Sequence, residues 1–455
     1  MSDRPGGASR RRASAIRAIA VSPIALWAAF VLVHFWLGML CLYAPGLPLG
    51  DVTIVYRFWM DQAFVAHYWV GIDSGWVYPI GALVPMAAAR VFGPALYAST
   101  WLSLVMVLDA VAFAALIGWG RRRASPGAAW WWLGFLLLLG PIALGRIDSI
   151  TVPLAIVGVL MIASRPRAAT VILTVAAWIK VWPAAIVVAM LVAVRGRRRI
   201  LASAAVTSLV IVAVALALGS GWNVFSFVTE QTGRGLQVEA PVATPWLWRA
   251  LAGMTDSGVY YDNSILTWQV RGDGVDLAAA IMTPLLAAAV IAVVILGVLA
   301  IRSRAHASEV LPALALAVVT AFIAFNKVGS PQYMTWLAVP VILGLVTARA
   351  GHGIPFRTPA ILVAVLAALT QVVYPYLYLR LLSLDVIMLI VISAKDILLF
   401  VLLGWAVHAL WGSARGPGDD PVPDGGGRLP SPWPFATGAR RGTVDERAEP
   451  AERGR

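Results

Sequence analysis

Asp51 is the first residue in this sequence whose position indicates chemistry. It directly follows an apolar run at about 24–44 and precedes an aromatic, mixed-polarity segment that contains Tyr56 and Asp61. A carboxylate at a membrane surface could act as a general base toward an acceptor hydroxyl. A solvated loop charge is the simpler alternative, and Asp61 could serve as the base in its place.

Arg146 and Lys180 are candidates for binding an anion. Arg146 lies two residues before Asp148, so the two could bind and orient a ligand or form a local ion pair of little energetic value. Lys180 interrupts an apolar stretch at 176–183. An ionisable residue at such depth is costly and indicates a substrate path, although its side chain could also extend to the interface.

Two further cations, Arg234 and Lys327, follow other apolar runs on the same predicted side of the membrane. Arg234 lies between Gly233 and Gly235, which allow a backbone to approach a ligand closely. Several cations that converge on one external cavity would suit a phosphate or pyrophosphate, since such a group needs charge compensation.

Other kinds of site are absent from the sequence pattern. There is no phosphate-binding glycine loop, dinucleotide fingerprint, zinc signature or nucleophile elbow, and the five histidines have no metal-ligand spacing. The single cysteine, Cys41, excludes an internal disulfide. We therefore predict no metal site and no cofactor.

The elements that carry these residues are predicted to be transmembrane helices. Of the 455 residues, 60% are hydrophobic and 13% are charged, whereas soluble chains carry about a quarter charged residues. Apolar runs of this length suit a hydrocarbon core about 30 Å thick, and they are too continuous for a β-barrel. The fold class is an all-α polytopic membrane protein with about 12 helices and long outer loops after helices 1 and 7.

The distribution of arginine predicts the topology. Arginine clusters alternate with the ionisable motifs, so the positive-inside rule places both termini in the cytoplasm and the motifs outside. Because the basic residues flank apolar runs, the net charge of +13 does not indicate nucleic-acid binding. The predicted divisions are a basic cytoplasmic arm at 1–20, a transmembrane domain at 21–411 and a disordered cytoplasmic tail at 412–455. The apolar segment at 80–92 is too short to assign and could be re-entrant.

Five motifs in order resemble glycosyltransferase family 87, whose members use polyprenyl-phosphate sugars. The motifs are at residues 50–56, 145–148, 179–183, 234–239 and 327–333, and the resemblance extends over roughly 24–410. One departure is that the first loop reads Tyr-Pro-Ile at 78–80 where the family has Tyr-Pro-Pro. This difference bears on the shape of the loop and the identity of the acceptor more than on the class of enzyme.

The resemblance implies a GT-C-like core and metal-independent, inverting transfer of a hexosyl group, most simply mannosyl. By position, Asp51 would be the catalytic base, and cations would neutralise the departing polyprenyl phosphate. The remaining implied substrate-binding residues are Arg146, Asp148, Lys180, Arg234, Gln237, Lys327, Gln332, Tyr56 and Asp61.

The expected partners are a polyprenyl-phosphate sugar donor, a cell-envelope glycolipid or glycan acceptor, and membrane lipids. The expected location is the bacterial plasma membrane, with the active site on the outer face. A secondary transporter or lipid flippase is the alternative, because about twelve spans with both ends inside is also a transporter layout. Transporters usually contain two repeated halves, and no repeat is evident here.

Overall fold

The computed structural model describes residues 21–120, 125–230, 234–351 and 353–415. The predicted basic arm at 1–20 lies outside these ranges, as do the arginines at 121–123 and nearly all of the predicted tail.

The described residues are mostly helical. The first helices are α1 (Pro23–Tyr43), α2 (Arg57–Val65), α3 (Leu83–Ala88), α4 (Tyr97–Leu116), α5 (Pro126–Leu139), α6 (Asp148–Met161), α7 (Pro166–Ile179), α8 (Ala184–Ala193), α9 (Arg197–Ala217), α10 (Ser226–Thr229) and α11 (Thr244–Leu251). An antiparallel hairpin follows, formed by β1 (Gly258–Asp262) and β2 (Thr267–Arg271). The last helices are α12 (Val275–Arg302), α13 (Ala307–Ala324), α14 (Met334–Arg349), α15 (Arg357–Gln371), α16 (Tyr378–Leu382) and α17 (Val386–Ala414).

Twelve of these helices are apolar and at least ten residues long. Within the described ranges, nine are long and apolar enough to cross a membrane when the short helical turns that adjoin α4, α5, α14 and α15 are counted with them: α1, α4, α5, α9, α12, α13, α14, α15 and α17. The three shorter apolar helices are α6, α7 and α8. The prediction of an all-α polytopic membrane protein is confirmed.

The helices differ in how much of their surface other helices cover. Helices α13 and α14 are almost wholly buried, whereas few residues of α9 and α12 are buried. Because most of the exposed residues of α9 and α12 are apolar, apart from charged residues near their ends, these two helices have the composition of lipid-facing elements. A buried polar contact also joins α1 to α4, since His34 Nε2 lies 3.0 Å from Asp109 Oδ2.

Helices α7 and α8 form a broken segment. With 14 and 10 residues they extend about 21 Å and about 15 Å, each too short for a hydrocarbon core about 30 Å thick. Lys180 ends α7 in an extended conformation, and Pro183 lies directly before α8. The break places a cation where the two short helices meet.

Two long connections contain the remaining elements. The first, between α1 and α4, includes a π-helix at Asp51–Tyr56 followed directly by α2. The segment at 80–92 forms a short turn and then the six-residue α3, so it does not span a membrane. The second, between α9 and α12, includes α10, α11 and the hairpin. The ends of α1, α6, α7 and α13 meet these connections and form the candidate site.

Candidate active site

Asp51 forms an ion pair with Arg146. Arg146 Nε lies 3.0 Å from Asp51 Oδ2, and the Arg146 side chain is 8% exposed while that of Asp51 is 38% exposed. Asp51 is the first residue of the π-helix, a form of helix that is frequent at functional sites. The arginine thus fixes the carboxylate from the protein side, and the carboxylate remains accessible to a ligand.

The Arg146 guanidinium group is held by three further hydrogen bonds. Nη1 donates to the carbonyl oxygens of Pro48 and Gly145, each at 2.8 Å, and Nη2 donates to the Tyr374 hydroxyl at 2.8 Å. Gly145 allows this approach, because a Cβ there would lie 2.6 Å from the Pro48 carbonyl oxygen. With most of its donors in use, Arg146 is better placed to orient Asp51 than to bind a phosphate.

The loop at 145–148 makes further contacts in the site, through Ile147 and Asp148. The backbone N–H of Ile147 donates to the Tyr56 hydroxyl at 3.2 Å, and Asp148 begins α6 beside it. Asp148 Oδ1 accepts from the Trp336 indole at 2.6 Å. Its buried Oδ2 makes no hydrogen bond within the described residues. Arg146 and Asp148 therefore face different partners and do not form the local ion pair that their spacing allowed.

Lys180 lies between two aromatic rings, in the part of the site that contains Asp148. Its Nζ is 4.6 Å from the centre of the Tyr78 ring and 5.8 Å from that of Tyr333, distances at which a cation is attracted to a ring face. Asp148 interacts with it electrostatically. Stacking of Trp336 against Tyr333, with ring centres 4.2 Å apart, links the lysine's surroundings to the Asp148 hydrogen bond.

A cavity of about 350 Å³ opens beside Lys180. Its polar residues are Lys180, Thr283, Asn326 and Lys327. The rest of its wall is mainly apolar and aromatic, and is formed by Val77, Pro79, Val181, Trp182, Phe227, Val228, Leu286, Phe322, Phe325, Val328, Tyr333 and Trp336. A cationic end with apolar walls is suited to an amphiphile whose head carries negative charge.

Lys327 and Arg234 add positive charge near this cavity. Burial, and to a smaller extent Arg234, lowers the pKa of Lys327. Arg234 also acts electrostatically on Lys180, so the three cations share one region. Gln237 lies against the same segment, because its backbone N–H donates to the Lys327 carbonyl at 3.0 Å. Gln332 contributes a buried Oε1 that accepts no hydrogen bond within the described residues.

Asp61 lies apart from these residues. Its Oδ1 is 3.0 Å from Arg90 Nη1, and its Oδ2 is 3.7 Å from Arg57 Nε. Both ion pairs join parts of the first long connection. The structure thus brings Asp51, Tyr56 and Arg146 together, gathers Asp148, Lys180, Arg234 and Lys327 with the two glutamines, and pairs Asp61 elsewhere.

The model of glycosyltransferase family 87 matches residues 76–270 of the chain. The predicted resemblance to this family is confirmed. The match includes the motifs at 145–148, 179–183 and 234–239, whereas Asp51 precedes it and Lys327 follows it. The match is narrower than the predicted 24–410, and it supports glycosyltransferase activity in a multi-helix membrane protein.

Two other comparisons are less informative about function. No curated protein matches the chain. Among solved structures, the crystal structure of ArnT from Cupriavidus metallidurans in the apo state is similar, with 16% sequence identity and a TM-score of 0.41. That match covers 87% of this chain and 78% of the other.

A second polar cluster, formed by Glu239, Tyr378, Lys395 and Asp396, was not predicted. Glu239 is buried next to Tyr378, and burial raises its pKa to about 7 although Lys395 and Arg146 act in the opposite direction. Lys395 Nζ lies 3.9 Å from Asp396 Oδ1 on α17. The sequence signal was the adjacent Lys395 and Asp396 inside the last apolar run, since ionisable residues there are expensive.

Proposed function

We propose that the chain transfers a hexosyl group, most simply mannosyl, from a polyprenyl-phosphate sugar to a hydroxyl of a cell-envelope glycolipid or glycan. The observation that carries this proposal is the pairing of an accessible carboxylate with a buried arginine, next to a cationic cavity with apolar walls. The family match supports the reaction class, and the site supports a lipid-linked donor.

In this mechanism Asp51 acts as the general base. It takes the proton of the acceptor hydroxyl as the acceptor oxygen attacks the anomeric carbon and the bond from that carbon to the phosphate oxygen breaks. Arg146 keeps the carboxylate oriented, because a base is effective only within hydrogen-bond reach of its proton. Attack on the face opposite the phosphate inverts the anomeric configuration, and no metal takes part.

The leaving polyprenyl phosphate gains negative charge as the bond breaks. A phosphate monoester carries about −1.5 to −2 at neutral pH. Lys180, Arg234 and Lys327 contribute three positive charges and Asp148 one negative charge, a formal sum of +2 for these four residues. Preorganised charge of this size in a cavity with mainly apolar walls would stabilise the departing group.

The donor's prenyl chain would lie against the apolar wall of the cavity. Thr283 and Leu286 of α12 and Phe322 of α13 line it, and α12 is a mostly exposed helix of apolar composition. A lipid could therefore enter from the side between α12 and the break at Lys180. The acceptor would approach Asp51 from the aqueous side, which we assign to the outer face of the plasma membrane.

The test compares wild type with Asp51→Asn in membranes given radiolabelled polyprenyl-phosphate mannose. Asp61→Asn is the matched control, since Asp61 lies in the same connection but pairs with Arg57 and Arg90. We expect label transfer by wild type and the control, and loss of about 10²-fold or more in Asp51→Asn at equal insertion. Equal loss in both variants would overturn the assignment of the base. No transfer by wild type would remove the donor proposal and make transport the next assay.

A further inference from the structure

A second cavity lies at the end of α7 opposite Lys180. Its volume is about 390 Å³, and it is lined by Arg165, Pro166, Arg167, Ala168, Arg195, Gly196, Arg199 and Ile200. Because α7 has 14 residues, the two ends of this helix are separated by about 21 Å. The cavity is therefore distinct from the candidate active site.

The cavity brings four arginines together without an acidic neighbour. Its lining contains no Asp or Glu. Within the described residues, none of these arginines forms an ion pair with a carboxylate. Four like charges around one cavity repel each other, which raises the free energy of the empty cavity. A bound anion would offset this repulsion. A guanidinium group also matches the oxygens of a phosphate in a bidentate manner.

The local backbone fixes this arrangement. Gly196 precedes α9 with φ of +88°, a conformation that other residues adopt only with strain, and this turn joins Arg195 to the first residues of α9. Helices α7 and α9 also contact each other further along, where the Trp178 indole donates to Ser208 Oγ at 2.9 Å. The arginines thus lie on two helix starts that are held side by side.

The surface next to the cavity indicates a lipid as the source of the anion. On α9, Leu201, Val206 and Leu209 lie on one side of the helix and are 59%, 60% and 68% exposed. An apolar helix face of this kind in a membrane protein meets acyl chains. A free phosphate would use the arginines alone, whereas a phospholipid would use both the arginines and this face.

We propose that the arginine cavity binds the phosphate headgroup of an anionic membrane lipid, with its acyl chains along the exposed face of α9. The site is independent of the transferase reaction, since it uses neither the donor cavity nor Asp51. It binds this lipid in preference to a zwitterionic one, because the net positive charge of the cavity selects net negative charge.

The experiment counts lipids bound to the purified full-length protein by native mass spectrometry. The protein in neutral detergent is titrated with phosphatidylglycerol, with phosphatidylcholine, and with phosphatidylglycerol in the presence of inorganic phosphate. We expect one phosphatidylglycerol to be retained preferentially, with little retention of phosphatidylcholine and little displacement by phosphate. Equal retention of both lipids would overturn the proposal, and displacement by millimolar phosphate would assign the site to the free anion.

Substitutions locate the bound lipid. The test variant replaces the four cavity arginines with glutamine: Arg165→Gln, Arg167→Gln, Arg195→Gln and Arg199→Gln. The matched control makes four equal changes at exposed arginines on the same predicted side of the membrane: Arg302→Gln, Arg304→Gln, Arg349→Gln and Arg357→Gln. Each arginine contributes about a fivefold change, so we expect affinity to fall by roughly several hundredfold in the test variant only.

Two half-variants keep the proposal testable should the fourfold variant fail to insert. One changes Arg165 and Arg167, and the other changes Arg195 and Arg199, each pair to glutamine. We expect about a 25-fold loss of phosphatidylglycerol affinity in each, with unchanged thermal unfolding in detergent without added lipid. Affinity equal to that of the control in both half-variants would overturn the proposal.

Discussion

Substitution of Arg146 with lysine tests whether this residue acts through Asp51 or on the donor phosphate. The guanidinium group contacts four groups at once: Asp51 through Nε, two backbone carbonyls through Nη1 and the Tyr374 hydroxyl through Nη2. A lysine keeps the charge but has one nitrogen. It cannot reach both Asp51 and Tyr374 in this geometry, so the carboxylate loses its fixed orientation.

The expected loss follows from the role of a general base. Proton transfer by a positioned base contributes about 10²–10⁴-fold, and misplacement of a reacting group by about 1 Å can cost about 10²-fold. We therefore expect kcat for Arg146→Lys to fall about 10²-fold. The KM for the lipid donor should change by less than about threefold, since Lys180, Arg234 and Lys327 remain.

The assay is label transfer from polyprenyl-phosphate mannose by protein in lipid nanodiscs, for Arg146→Lys, Asp51→Asn and the double variant. Residues that act as a unit are not additive in their effects on rate. The double variant should thus be no slower than Asp51→Asn. If the two losses multiply, or if Arg146→Lys raises donor KM tenfold with kcat unchanged, Arg146 contacts the phosphate and the positioning argument is refuted.

Three further predictions concern buried groups. Burial raises the pKa of Glu239 to about 7 from an ordinary 4.5, so the folded state holds this proton more tightly than the unfolded state. The stability that results is present below about pH 4.5 and is lost as pH rises through about 7, and Glu239→Gln should remove that loss in thermal unfolding between about pH 5 and pH 8. A Glu239→Gln profile that parallels wild type would contradict this. Gly145→Ala should lower transfer at least about tenfold at normal insertion, since its Cβ would displace the loop that carries the arginine; unchanged turnover would contradict it. Trp336→Phe should lower stability by about 2–3 kcal/mol, because it removes the 2.6 Å hydrogen bond to buried Asp148. Trp131→Phe, which removes a bond to a neutral carbonyl, is its control in thermal unfolding and should cost less.

The apolar helices were predictable because the length and hydrophobicity of an apolar run are enough to identify a membrane-spanning helix. The first predicted run, at about 24–44, corresponds to Pro23–Tyr43. The interruption of the apolar stretch at Lys180 was predicted as well, and the structure places the end of one short helix there and the start of the next after Pro183. In lipid, the backbone must pair internally, so a continuous apolar run has few structures available.

The partners of the charged residues could not be predicted in this way. Arg146 is two residues from Asp148, yet it pairs with Asp51 from another connection, because the turn at Gly145 directs the guanidinium group toward Pro48. The hairpin was also missed. It lies in the second long connection, where hydropathy carries no signal, and its register depends on pairing between β1 and β2.

The loop at 145–148 gives a physical reason for the separation of charges in the site. If Asp51 paired with Lys180, the base would lose its orientation and the cavity would lose a cation that the phosphate needs. Instead Arg146 neutralises Asp51 at 3.0 Å, and Asp148 is held by an indole, a neutral donor. Because Asp51 pairs with Arg146, it does not compensate the positive charge of the cavity. Two ionisable residues of opposite sign, two positions apart, keep the proposed base and the proposed phosphate pocket electrostatically distinct.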